Sequence, residues 1–252
     1  MTFPIDRFFR ALVLALVWAL IPLLHAGVRA GSPRVWVWAW DRPEDLRFLK
    51  PEDAGVAFFV LGISMNEKGV TLRPRTAPLR LSRGMHRIAV VRLEMSSMDA
   101  PERQMKDVLR AIHSYALVPG IEGLQLDFDA SRSQRPFYRK LVERLRKDPE
   151  VRIPISITAL ASWCMGDRWI QDLPVSEAVA MLFQMGPDGS DAMAWLRKGR
   201  PLAGANLGTL AWGLSTDQPL SVSPPAQARV YLFHPRSWTP TAFQKVLPWV
   251  QP

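Results

Sequence analysis

The stretch IEGLQLDFD, Ile121 to Asp129, alternates Leu124, Leu126 and Phe128 with Gln125, Asp127 and Asp129. In a strand, successive side chains point to opposite faces. One face is therefore apolar and the other carries two carboxylates two residues apart. A strand at the surface would send its polar side to water. This run, however, is one of a series, and the series decides where that polar face points.

Seven other short, β-rich apolar runs accompany it: Arg34–Trp40, Gly55–Ser64, His86–Glu94, Ile153–Leu160, Glu177–Met185, Leu207–Ser215 and Ala228–Pro235. Their spacing of roughly 20–30 residues is too wide for hairpins and suits strand–crossover–strand units. Helical patterns fill several crossovers. Pro101–Tyr115 opens with Pro and Glu and places Met105, Val108, Leu109 and Ile112 on one side, and Gln134–Arg146 does the same with Phe137, Leu141 and Leu145. Ala192–Arg197 and Thr241–Val250 are shorter versions. Asn66–Met85, rich in Pro and Arg, reads as a β-hairpin, and Thr216–Gln227 reads as a loop.

Eight strands in alternation predict a (β/α)8 TIM-like barrel with some degenerate helices. An open doubly wound sheet is the alternative. It is disfavoured because no strand is followed by GxGxxG or GxxxxGK[ST], so no nucleotide cofactor is expected. In the barrel, Leu124, Leu126 and Phe128 face the helices, while Gln125, Asp127 and Asp129 line the interior toward the mouth.

The first 30 residues stand apart. Arg7 and Arg10 precede the apolar run Ala11–Gly27, and Val28-Arg29-Ala30 offers small residues for cleavage. This pattern predicts a signal peptide, or an anchor if it is left uncut, with a periplasmic or secreted barrel over residues 31–252. The lone Cys164 excludes an internal disulfide. The leading segment holds three Arg and one Asp, so its removal lowers the formal charge from +9 to +7. A basic exported protein fits a polysaccharide, anionic ones included, better than nucleic acid, and meets a membrane only through its first segment if that is left uncut.

Active sites of such barrels are built at the C-terminal strand ends and the loops beyond them. Those ends carry Trp40, Asp41, Ser64, Asn66, Arg92, Glu94, Asp127, Asp129, Thr158, Trp163, Gln184, Trp212 and His234. Two carboxylates side by side at low dielectric push one pKa up, which makes a general acid. Arg92 or a cation holding both ionised is the opposing expectation. An acidic strand end that caps the next helix is a third. The rim residues Trp40, Trp163 and Trp212 suit the apolar faces of sugar rings, and Asp41, Arg92, Glu94, Gln125, Gln184 and His234 suit their hydroxyls. The four His include no HxxxH or HExxH pair, no GxSxG elbow is present, and Cys164 has no evident His partner, so no metal centre or nucleophilic triad is expected.

Glu122-Gly123-Leu124-Gln125-Leu126-Asp127-Phe128-Asp129 resembles the D-G-x-D-x-D-x-E strand-four motif of the family-18 chitinase-like glycoside hydrolases. Gly123 and Asp127 match it, Glu122 and Gln125 replace its first two Asp, and Asp129 stands where its acid Glu belongs. The resemblance implies that Asp129 protonates the glycosidic oxygen while Asp127 orients the substrate's acetamido nucleophile. The segments GLQLDFDASRSQRPFYRKL, ISITALASWCMGDRWI and LPVSEAVAMLFQMG are similar to those of an exported bacterial family catalogued as domain of unknown function 3142. That likeness implies a glycosidase-like TIM barrel.

Overall fold

In the computed structural model, residues 31–96, 102–165, 167–202 and 210–250 are described. The expected leading segment lies outside them, as does the start of the Leu207–Ser215 run. The barrel strands are β1 (Val35–Ala39), β2 (Gly55–Asn66), β3 (Arg87–Met95), β4 (Gly123–Asp127), β5 (Ile155–Leu160), β6 (Glu177–Met181), β7 (Leu210–Ser215) and β8 (Val230–Phe233). Each pairs in parallel with the next, and β1 pairs with both β2 and β8, so the sheet closes. Closure leaves no barrel edge unpaired.

Helices α1 (Glu102–Ala116), α2 (Arg135–Lys147), α3 (Ala161–Met165), α4 (Gly189–Arg197) and α5 (Pro240–Val246) pack outside. The Asn66–Met85 crossover holds the expected hairpin, its strand Gly69–Pro74 running antiparallel to the end of β2. The pair Glu44–Asp45 and Leu79–Arg80 adds a small parallel ladder. The short α3 was not expected from the sequence. Strand four ends at Asp127, not at Asp129.

The two faces of each strand separate cleanly. Val37, Leu124, Leu126 and Ile157 join Val108, Ile112, Leu141 and Leu145 in the outer core, between sheet and helices. Trp36, Trp38, Ile88, Val90, Val179, Tyr231 and Phe233 fill the barrel itself. Trp36 stacks on Tyr231 at 6.0 Å between centroids, and Trp38 stacks on Phe233 at 5.0 Å. Small residues opposite make room. A Cβ on Gly55 would lie 2.6 Å from the Trp36 ring carbons Cε3 and Cζ3. Gly55→Ala therefore overpacks a ring that cannot move, and should cost about 1–3 kcal/mol in chemical denaturation.

β2 contains a bulge. Phe59 opposes Val90 and Leu61 opposes Val91, which leaves Val60 as an extra residue. The inward side of β2 therefore passes from Ala57 and Phe59 to Gly62 and Ser64. Beyond the bulge, β2, β3 and the Gly69–Pro74 strand continue together, with Met65 opposite both Met95 and Val70. They form a wall beside the C-terminal mouth. Its mouth-facing rows read Arg73–Gly62–Arg92–Asp127 and Thr71–Ser64–Glu94 by register.

Candidate functional site at the barrel mouth

The core of the site is Asp127, last residue of β4 and 3% exposed. Each carboxylate oxygen has its own donor: Arg92 Nη1 to Oδ2 at 2.7 Å and Thr158 Oγ1 to Oδ1 at 2.8 Å. Both donors come from flanking strands, and Arg92 lies directly opposite Asp127 in the β3–β4 register. Both oxygens of this buried side chain thus have a partner, and its bond with the Arg92 guanidinium is charge-assisted.

Arg92 also reaches Glu94 Oε1 (3.3 Å) and Asp129 Oδ2 (3.7 Å), so three carboxylates share one guanidinium. Burial works against the charge of Arg92, but Asp127, Asp129 and Glu94 outweigh it and raise its pKa. Its guanidinium lies 5.9 Å from the centroid of the Trp40 ring, which meets Trp38 edge-on at 4.3 Å. Glu94 is exposed and accepts from Ser64 Oγ at 3.4 Å.

Asp129 sits differently. Its side chain is 47% exposed, and among the described residues no hydrogen bond is made to it. It does not cap α2, which removes the simplest structural role expected for it. Its carboxyl is raised above the ordinary Asp value, first by burial, then by the negative charge of Asp127, with Arg92 opposing both. The loop that carries it is pinned from two sides. Phe128 packs edge-on against Tyr138 at 5.2 Å, and the Tyr138 hydroxyl donates to Leu126 O at 3.2 Å. The Gln134 side chain accepts from Ser131 N (2.9 Å) and donates to Met95 O (2.6 Å), tying the loop to the end of β3.

Of the residues expected at the rim, Trp40, Arg92, Glu94, Asp127 and Asp129 come together. Gln125 is fully buried one layer deeper, where it accepts from Trp38 Nε1 (2.8 Å) and donates to Ser156 Oγ (3.3 Å). It is part of the barrel filling, not of a substrate surface. Asp41 is turned to structure, pairing with Arg73 at 2.9 Å and accepting from the backbone N–H groups of Thr76 and Ala77. Gln184 and His234 lie on the loops after β6 and β8. Gln184 takes a φ of 49° and is exposed, its backbone N–H donating to Gln218. His234 shares a 2.5 Å hydrogen bond with Thr216 Oγ1, and burial followed by Arg42 and Arg236 lowers its pKa.

Two expected sugar platforms are misplaced. Trp163 is 3% exposed on α3, edge-on to Trp169 at 4.9 Å with the Arg135 guanidinium 5.8 Å from its ring. Trp212 is 8% exposed in mid-strand and belongs to the outer core. Neither offers a flat face to the mouth. The sequence reading also missed Arg73, whose guanidinium covers the Phe59 ring at 4.8 Å beside Gly62. Only the hairpin register brings it to the wall.

Burial pushes the Cys164 thiol up to about 12, so it is not a nucleophile at neutral pH. Among the described residues, no three His, Cys, Asp or Glu side chains are grouped to hold a metal ion, and no helix is long and apolar enough to cross a membrane. Comparison of the chain with protein-family models and with curated proteins yields no match.

Proposed function

We propose that the barrel mouth acts on a bacterial envelope or extracellular glycan in an exported protein, by acid-catalysed glycosidic cleavage. One observation carries this reading: two carboxyls two residues apart have opposite surroundings. Asp127 is buried and takes one donor on each oxygen, from Arg92 and Thr158, while Asp129 is half-exposed, free of hydrogen-bond partners among the described residues and raised in pKa. Two carboxyls in such different surroundings divide into an acid and a stabilising partner. Asp129 gives its proton to the leaving glycosidic oxygen as the C–O bond breaks. Asp127 supports the positive charge that develops on the sugar side, and water completes the cleavage. Trp40 supplies the apolar face for the ring. The likeness of the β4 segment to the chitinase-like motif favours a 2-acetamido sugar, whose own carbonyl oxygen attacks the anomeric carbon.

A second reading, a glycan-binding barrel without turnover, is favoured by the sharing of Arg92 among three carboxylates and by the shorter Asp at the acid position. Purified protein incubated with a panel of envelope and extracellular polysaccharides separates the two. Released reducing ends on any acetamido-containing polymer support cleavage. Saturable binding across the panel with no released ends supports the second reading and ends the first.

A further inference from the structure

The opposite end of the barrel, built from the N-terminal ends of the strands and the C-terminal ends of the helices, has a different chemistry. Arg83 precedes β3, Arg152 precedes β5, Lys147 ends α2, and Lys198 and Arg200 follow α4; all are exposed. None of them forms an ion pair with a carboxylate among the described residues; the exposed Lys68, Arg103, Arg132 and Arg236 of the mouth end are likewise unpaired, but they share that end with the exposed Glu67, Glu94 and Asp129. The acids of this end are largely engaged. Asp148 and Glu150 pair with His113, Glu122 with His86 and Asp45 with Arg47, which leaves the exposed Glu52 and Asp53.

Apolar and aromatic groups accompany these cations. Two of the exposed large hydrophobic side chains, Tyr115 (39% exposed) and Val118 (43% exposed), lie at and just past the end of α1. Trp195, near the end of α4, is half-buried beneath the Arg200 guanidinium at 4.9 Å. Trp249 follows α5 and is also half-buried. Gly31, joined in sequence to the apolar run Ala11–Gly27, lies at this same end, since the next residues bond to the segment before β8: Arg34 Nε donates to Ala228 O at 2.9 Å.

We propose that this end of the barrel is a docking surface for an anionic phospholipid bilayer, which holds the opposite mouth, the site of the function proposed above, facing away from the membrane. Unpaired Lys and Arg draw the face to anionic headgroups at about fivefold in affinity per basic group near the surface. Tyr and Trp side chains with an apolar body and a polar tip suit the headgroup layer. A soluble polyanion has no use for the exposed Val118 and Tyr115, which is why the bilayer is the favoured partner.

The test uses the full chain in sedimentation with phosphatidylcholine vesicles and with vesicles containing about 30 mol% phosphatidylglycerol. Binding to the anionic vesicles should exceed binding to the neutral ones by at least about tenfold near 0.1 M salt, and the excess should vanish near 0.5 M salt. A variant carrying Arg83→Glu, Arg152→Glu, Lys198→Glu and Arg200→Glu should lose the excess. A control of equal charge change at the mouth end, Lys68→Glu, Arg103→Glu, Arg132→Glu and Arg236→Glu, should keep most of it. Equal loss in both variants would mean net charge alone, and equal binding to both vesicles would mean the apolar run alone; either overturns the proposal. So does polygalacturonate capture that depends on the same cations without any preference for the anionic vesicles. The wild-type composition and salt comparison decides the matter even if a variant fails to fold, and no arm depends on glycan cleavage.

Discussion

Asp129→Asn is expected to lower the rate of glycan cleavage by on the order of 10²–10⁴, the usual contribution of a positioned general acid. Substrate binding should change little, because Asn keeps the shape and the hydrogen-bonding edge of the side chain. Stability should change little too, since the side chain is 47% exposed and its one polar contact among the described residues is with Arg92 at 3.7 Å. The pH dependence gives the sharper test. A general acid works protonated, so wild-type activity should persist above the ordinary carboxyl range and fall as pH rises through the raised Asp129 value. Folding stability carries the same sign. The native carboxyl keeps its proton longer than the unfolded one, so its contribution is whole below the ordinary Asp value and declines as pH climbs past the raised one. Asn substitution removes that decline. Retained turnover with an unchanged pH profile in Asp129→Asn would assign the proton donor elsewhere.

Trp38→Ala is expected to destabilise the barrel by about 3–5 kcal/mol, read as a lowered denaturation midpoint. The indole is fully buried at the barrel centre and packs on Trp40 and Phe233. Its loss opens a cavity between strands that cannot collapse around a closed sheet. It also removes the 2.8 Å donor to Gln125 Oε1, leaving a polar atom buried. Trp38→Phe separates these costs: it keeps most of the volume and loses only the hydrogen bond, at about 1–3 kcal/mol. Equal effects of Ala and Phe would mean that the hydrogen bond, not the packing, carries the cost.

The alternation of β4 was legible because a two-residue period admits one reading of its faces, and the structure places Leu124 and Leu126 outside and Gln125 and Asp127 inside. The closed barrel followed from eight apolar runs at crossover spacing. What sequence reading got wrong has local causes. Trp163 was read as a rim residue following β5, but the chain turns at once into α3, which rolls the indole back into the core. Trp212 lies three residues before the end of a run that reaches Ser215 in sequence and structure alike, and in β7 it faces the helices, not the mouth. Gln125 had the right face but the wrong depth, one layer below the mouth. Arg73 could not be placed, because antiparallel pairing across a hairpin depends on turn position and on a bulge that no periodicity announces.

That bulge makes the wall sensitive to insertion and deletion in a way no point substitution matches. With Val60 present, Gly62 and Ser64 look toward Arg92 and Glu94, while Leu61, Ile63 and Met65 are sealed against the helices. Deleting one residue there would exchange the two sets along the whole outer half of β2. The mouth would gain a greasy flank and the helical layer would have to swallow a serine. Divergence among related barrels that gained or lost a residue at this point would thus alter ligand preference in one step, while the carboxyls on β4 stayed in place.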